Sequence, residues 1–145
     1  MKGNEKTFVE RIKSGNIGEE LFKNYCKQND IYCYKLGFEE NLMLDNFWKI
    51  NPIIRNLPDF YITKNGRSAL VNVKGTASIK YSEINIIDEM NKSYGSQDVP
   101  LMYCFCFENC KPIFLKIDEL KKKFAEGIDG VWKDGKKYKR INLSS

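Results

Sequence analysis

A tight turn between two short apolar segments constrains the fold of this chain more than any other feature. The segments Pro58–Thr63 and Ala69–Lys74 are rich in the β-branched and aromatic residues that favour strands. Asn65-Gly66 lies between them, and this dipeptide favours the type I′ turn that joins antiparallel strands. The chain is therefore predicted to contain a β-hairpin near its centre.

Polar residues lie at corresponding ends of the two predicted strands. Asp59 opens the first strand, and Asn72 and Lys74 share one face of the second, with Val71 and Val73 on the other face. An acid, a second oxygen ligand and a lysine gathered in this way can hold a divalent metal beside a phosphate. A simpler interpretation is a Pro-Asp turn followed by a strand-end lysine that extends towards water.

The segment Pro58-Asp59…Asn72-Val73-Lys74-Gly75 resembles the PD-(D/E)XK nuclease family, with Asn72 where the family has an acid. The resemblance implies a restriction-endonuclease-like α/β fold: a single domain over residues 1–145, with a central mixed β-sheet flanked by helices. It also implies a metal-dependent endonuclease that hydrolyses phosphodiester bonds in DNA. Mg²⁺, or Mn²⁺ in its place, would be held by Asp59, the main-chain oxygen of Val73 and an acid, and Lys74 would position the attacking water.

Three acids are candidates to replace the acid that is missing at Asn72. In some restriction-enzyme relatives the acid lies on the helix after the lysine strand, where Asp88 is the counterpart here and Glu83 is a second candidate. Many family members also carry a glutamate after a glycine on an early helix, and Glu19 follows Gly18 in this way. Each acid also has an ordinary interpretation, as an exposed helix charge or a first-turn residue that complements the helix dipole.

Charge and composition restrict the chemistry further. The 145-residue chain has 24 basic and 19 acidic residues and no histidine, which excludes histidine general bases and Ser-His or Cys-His nucleophiles. Five cysteines, an odd number, argue against a disulfide framework, and Cys104 and Cys106 on an apolar strand are predicted to be a buried thiol pair in preference to a zinc site that includes Cys110. No apolar run approaches membrane-span length, so we expect a cytoplasmic protein without membrane contact.

The last quarter of the chain is basic, and its aromatic residues are interleaved with lysines. A hairpin over residues 131–141, turning at Asp134-Gly135, is predicted to contact phosphates, with Trp132 and Tyr138 stacking on bases. An edge hairpin protected by lysines is the alternative. The candidate nucleic-acid-binding residues are Lys133, Lys136, Lys137, Lys139 and Arg140.

The remaining elements follow from hydrophobic periodicity and turn residues. The predicted helices span residues 5–13, 17–27, 83–94 (capped by Ser82) and 118–125, with a break at Ser14-Gly15-Asn16. The further predicted strands span residues 31–36, 101–107 and 113–117, the last two paired, and residues 37–56 are predicted to be a loop or short helix.

Two other functions remain open at this point. One is a catalytically degenerate nuclease-fold module that binds nucleic acid or a protein partner without cleavage, with Asn72 marking a lost metal site. The other is an unrelated small α/β protein in which Asp59 and Lys74 lie far apart. For the nuclease, DNA is the expected partner and RNA stays open. Specificity would come from DNA shape, a homodimer or a larger nucleoprotein complex.

Overall fold

The predicted central hairpin is the middle of a five-stranded sheet. The computed structural model describes residues 8–36 and 57–144. Within them β2 and β3 pair in antiparallel fashion around Asn65 and Gly66, whose φ angles of 52° and 78° suit a type I′ turn. The elements in chain order are α1 (Phe8–Gln28), β1 (Tyr32–Lys35), β2 (Phe60–Lys64), β3 (Arg67–Lys74), β4 (Ser78–Lys80), α2 (Tyr81–Tyr94), β5 (Leu101–Phe105), β6 (Ile113–Lys116), α3 (Ile117–Ala125), β7 (Ile128–Val131) and β8 (Lys137–Arg140).

The main sheet is mixed and has the strand order β1-β2-β3-β5-β6. Neighbouring strands are antiparallel except β3 and β5, which are parallel. A parallel pair needs a crossover, and the segment containing β4 and α2 supplies it. This topology brings the ends of β1, β3 and β5 and the beginning of β2 to one edge of the sheet.

Helices cover both faces of the sheet, which gives a three-layer α/β arrangement. On one face α1 contributes Phe22 and Cys26, which are buried together with Val71 and Cys104. On the other face α2 and α3 pack over β3, β5 and β6, forming the larger cluster of buried side chains. The fully buried members of that larger cluster include Ile79, Leu101, Phe105 and Leu120.

A second sheet of three strands, in the order β4-β8-β7, adjoins α2 and α3. The predicted hairpin is present, although β7 begins three residues earlier than predicted and β8 also pairs with β4, a strand that was not predicted. Gly135 has φ 86°, the left-handed region that this turn requires. None of the helices in the described part of the chain is long and apolar enough to cross a membrane.

Two helix predictions were wrong. The expected break at Ser14-Gly15-Asn16 does not occur, because α1 runs without interruption from Phe8 to Gln28. Glycine weakens a helix by only about 1 kcal/mol but keeps its backbone N–H, so packing of the helix can offset the cost. Helix α2 begins at Tyr81, so Ser82 is not its cap, and Glu83 instead accepts a hydrogen bond from the Lys80 N–H at 3.1 Å. The predicted loop or helix at residues 37–56 and the start of the first predicted helix lie outside the described residues.

Candidate active site

Strand register brings the central candidate residues into one row at the sheet edge. Asn72 pairs with Tyr103 across the parallel strands β3 and β5. Asp59 directly precedes Phe60, which pairs with Val71, so the continued register places Asp59 opposite Asn72. Alternation along β3 puts Asn72 and Lys74 on the face that α2 covers, because Val71 and Val73 are buried under α1.

Asp59 is held by the backbone at this edge. Its Oδ2 accepts a hydrogen bond from the Val73 N–H at 2.8 Å, and its main-chain oxygen accepts one from Leu36 at 2.8 Å. Burial, helped by the charge of Glu19, raises the pKa of Asp59 to about 6, although the Val73 N–H, Lys35 and Lys74 act to lower it. The carboxylate is therefore costly to ionise unless a further cation approaches.

Pro58 explains why the Val73 backbone faces the site instead of a partner strand. The β2–β3 pairing ends at Phe60 and Val71, and continuing its register would set Val73 opposite Pro58. Proline has no N–H to donate to the Val73 carbonyl, and Asp59 takes the Val73 N–H. The backbone N–H and C=O of one strand residue point towards the same neighbouring strand. The Val73 carbonyl therefore points to the side of β3 on which Asp59 lies.

Lys74 and Glu83 form an ion pair with limited access to water. Lys74 Nζ lies 2.9 Å from Glu83 Oε1, and the two side chains are 20% and 23% exposed. Burial acts to raise the pKa of Glu83, but the charge and hydrogen bond of Lys74 and the Lys80 backbone outweigh it, so the pKa is lowered. Glu83 is thus an ionised carboxylate at the end of the lysine strand.

Tyr103 links Asn72 to the Lys74–Glu83 pair. Its hydroxyl donates to Glu83 Oε2 at 3.3 Å and is also hydrogen-bonded to Asn72. Burial, followed by the charges of Glu83 and Asp59, raises the pKa of Tyr103 well above its usual value, so the phenol stays protonated. Sequence reasoning missed this residue, because a tyrosine within an apolar strand gives no signal of its own.

Glu19 reaches the same edge from the opposite layer. Its Oε1 accepts a hydrogen bond from Lys35 Nζ at 2.6 Å, and Glu19 and Lys35 both affect the pKa of Asp59. The approach depends on Gly18, because a Cβ there would lie 2.9 Å from the Cα of Gly75. Lys35 was also missed, although a lysine that ends an aromatic strand is the same signal that selected Lys74.

The structure does not bring Asp88 to this edge. Asp88 is 73% exposed and pairs with Lys121 of α3 at 2.9 Å. Five residues along a helix correspond to about 500°, which leaves Asp88 about 140° around α2 from Glu83. Of the two helix acids considered as replacements, Glu83 is therefore the one that lies beside Lys74.

The basic hairpin differs from the prediction in its aromatic residues. Trp132 and Tyr138 are buried and stack on each other, with ring centroids 4.3 Å apart, so they cannot stack on bases. Lys139 Nζ lies 5.1 Å from the centre of the Phe124 ring. The other four candidate basic residues, Lys133, Lys136, Lys137 and Arg140, are exposed.

The oxygen donors at the site are of the kind that Mg²⁺ prefers. Among the described residues no group of three or more His, Cys, Asp or Glu side chains is arranged to hold a metal. Mg²⁺ commonly binds through only one or two carboxylates and retains several waters. The carboxylates of Asp59 and Glu83 and the carbonyl of Val73 match that donor chemistry. The thiols of Cys104 and Cys106 are instead buried in the core, with their sulfurs 3.6 Å apart.

No protein-family model, curated protein or solved structure matches the chain.

Proposed function

We propose that this protein is a restriction-endonuclease-like, metal-dependent nuclease that hydrolyses phosphodiester bonds in DNA. The observation that supports this most strongly is the meeting of Asp59, directly before β2, with Lys74 of β3 and Glu83 of α2 at one edge of the sheet. The topology adds support, since an antiparallel hairpin leads through a helix into a parallel strand. The same order of elements is what the resemblance to the PD-(D/E)XK family implies.

Asp59 and the main-chain oxygen of Val73 would hold Mg²⁺ or Mn²⁺, with Glu83 as the acid that replaces the one missing at Asn72. The ion would supply Lewis-acid stabilisation of the phosphate and a bound water of lowered pKa. Asp59 contributes its charge once deprotonated, and its raised pKa of about 6 falls when a cation is near. Asn72 supplies an oxygen donor at the position where the family has an acid, but it brings no negative charge.

Among the protein's own side chains, Lys74 would have the main catalytic role. Its ammonium group can orient an attacking water and stabilise charge that develops on the phosphate. Glu83 and the Tyr103 hydroxyl hold that ammonium in place through a connected network. Lys35, paired with Glu19, supplies a second cation near Asp59.

Cleavage of a panel of linear, branched and single-stranded DNA tests the proposal. Wild-type protein is compared with Asp59→Ala and Lys74→Ala in Mg²⁺, in Mn²⁺ and in EDTA. We expect metal-dependent cutting that each substitution reduces by at least about 100-fold, the scale on which removal of one charged catalytic group acts. If the substituted proteins cut as fast as the wild type, the activity does not come from this site.

A second candidate function is supported by Asn72 itself. With an amide in place of an acid, and with Glu83 already bound to Lys74, the fold could serve as a module that binds nucleic acid or a protein without cleavage. This alternative predicts salt-sensitive binding that persists in Asp59→Ala and Lys74→Ala, together with no cutting of any substrate in either metal.

A further inference from the structure

Three tyrosines lie side by side on the sheet next to the candidate site. We call Tyr32, Tyr34 and Tyr61 the tyrosine face. Tyr34 pairs with Tyr61 across β1 and β2, and Tyr32 pairs with Thr63 one row further away. Tyr32 and Tyr34 are 58% and 57% exposed, which makes them two of the most exposed large apolar residues described.

The tyrosine face is on the same side of the sheet as Asn72 and Lys74. Cys33 and Ile62, the strand neighbours of these tyrosines, pack with the cluster under α1, so the tyrosines point to the opposite side. The row of Tyr34 and Tyr61 lies two residues along the strands from the row of Asp59 and Asn72. At about 3.3 Å per residue, the two rows are about 7 Å apart.

Helices α2 and α3 leave this part of the sheet uncovered within the described residues. The buried cluster that they form includes residues of β5 and β6, with Leu70 of β3 packed against it, but none of β1 or β2. Tyr61 is fixed by a hydrogen bond between its hydroxyl and Ser68 at 2.9 Å. The rings of Tyr32 and Tyr34 therefore stand exposed on a strand that is paired into the main sheet.

Positive charge borders the other side of the site. Lys80 pairs with Tyr138 across β4 and β8, and its N–H binds Glu83, so the basic hairpin begins next to the Lys74–Glu83 pair. The exposed lysines Lys133, Lys136 and Lys137 lie at and just beyond the turn of that hairpin. A polyanion that crossed the site would meet lysines on one side and tyrosine rings on the other.

From this arrangement we infer that the tyrosine face stacks unpaired bases, and that the substrate of the site is a single-stranded DNA segment or end. The inference rests on the proposed function, because the bound strand is taken to be that site's substrate. Stacking on a side chain needs a base whose face is open, and the bases of an intact duplex are already stacked on each other. Aromatic platforms on a sheet bind single strands in a way that tolerates any sequence.

Binding in EDTA tests the inference apart from cleavage. Fluorescence anisotropy is measured with labelled oligothymidylate and with a blunt duplex of the same length. The wild type is compared with Tyr32→Ala/Tyr34→Ala and with the ring-preserving control Tyr32→Phe/Tyr34→Phe. We expect the alanine variant to bind the single strand at least about tenfold more weakly, since each stacked base is worth about 5- to 150-fold. The phenylalanine variant should bind like the wild type, and duplex binding should change less than about twofold in both.

The possible outcomes separate this inference from the proposed function. Equal losses on single strand and duplex, or no loss on either, would overturn the tyrosine face as a base platform. So would a failure of the wild type to bind the single strand at all. Ring-dependent binding of the single strand without cutting in Mg²⁺ or Mn²⁺ would support the platform and overturn only the nuclease. Because both rings are exposed, all variants should retain the wild-type circular dichroism spectrum and melting temperature.

Discussion

The surroundings of two carboxylates at this edge of the sheet shift their pKa values in opposite directions. Asp59 loses its hydration and has Glu19 nearby, so its pKa rises, whereas Glu83 gains Lys74 and the Lys80 N–H, so its pKa falls. Pairs of titratable groups whose pKa values are pushed apart are typical of sites that carry out acid–base or metal chemistry. Asp59 is the residue whose ionisation should control how the proposed activity depends on pH.

Replacing Asp59 by the amide of the same shape should stabilise the fold while removing activity. The pKa of Asp59 rises from 3.8 in the unfolded chain to about 6 in the folded protein. Ionisation of Asp59 therefore lowers the stability of the folded state. This loss is absent below pH 3.8, grows between pH 3.8 and pH 6, and is full above pH 6. Asp59→Asn should therefore gain up to about 3 kcal/mol in free energy of unfolding at pH 7.5 and little at pH 4. Urea unfolding at both pH values measures this, with the exposed Asp98→Asn as control. A loss of stability at pH 7.5 would show that the charge of Asp59 is structural.

The Lys74–Glu83 pair should show strong energetic coupling. Lys74→Met leaves Glu83 largely buried without its cation, and we expect a loss of about 2 kcal/mol in stability at pH 7. Adding Glu83→Gln should restore much of that loss, because the unpaired charge is gone. The coupling is present above pH 4.5 and disappears as the pH falls through the lowered pKa of Glu83. A double-mutant cycle by thermal unfolding measures it, and additive effects at pH 7 would contradict the account.

At this scale the sequence predicted that Asn72 and Lys74 share one face of β3 near Asp59, because strand alternation and the Asn65-Gly66 turn determine this arrangement. It did not separate Glu83 from Asp88. That choice depends on how α2 is rotated about its axis, which follows from a helix start at Tyr81 and a backbone cap by Glu83. Tyr103 and Lys35 come from neighbouring strands whose register is a long-range property.

At the scale of elements, the closeness of α1 to the end of β3 places Glu19. The contact passes through two glycines, Gly18 and Gly75, with no side chain between the backbones. The sequence indicated a helix over residues 17–27, which α1 contains. It did not indicate that α1 is continuous, because the weak helix propensity of Ser14-Gly15-Asn16 predicts a break there.

Gly18→Ala should separate α1 from β3. In an unconstrained helix this change would add stability, by about 1 kcal/mol, but here the new Cβ would lie 2.9 Å from the Gly75 Cα, and backbone must move. We expect a net loss of about 1–2 kcal/mol in stability. Thermal unfolding measures the change. Asn24→Ala, at an exposed position of the same helix, is the control and should not lose stability. A gain in stability of the Gly18→Ala variant would mean that α1 can shift away from β3 at no cost.

At the scale of the whole molecule, the net charge of +5 is modest, and its distribution matters more than its size. Three exposed lysines, Lys133, Lys136 and Lys137, lie within five residues of each other at the β7–β8 hairpin. The aromatic residues of that hairpin are used internally, because Trp132 stacks on Tyr138. The composition of the hairpin alone could not distinguish internal stacking from base stacking.

Removing the hairpin charges should weaken nucleic-acid binding in a salt-dependent way. The variant Lys133→Gln/Lys136→Gln/Lys137→Gln should reduce the slope of log affinity against log salt by about 2 for a single strand, at about 0.7 for each phosphate contact. A salt titration of oligothymidylate binding measures the slope, with Lys27→Gln on α1 as control. An unchanged slope would exclude the hairpin from the binding surface.

The most direct test of the central claim compares two acids on the same helix. Single-turnover cleavage in Mg²⁺ is measured for wild type, Glu83→Gln and Asp88→Asn on the DNA substrate that the wild type cuts fastest. The account predicts a loss of at least about 100-fold for Glu83→Gln and a change below about twofold for Asp88→Asn, whose side chain pairs with Lys121 on the surface. Equal rates for Glu83→Gln and wild type, or no metal-dependent cutting by the wild type, would contradict it.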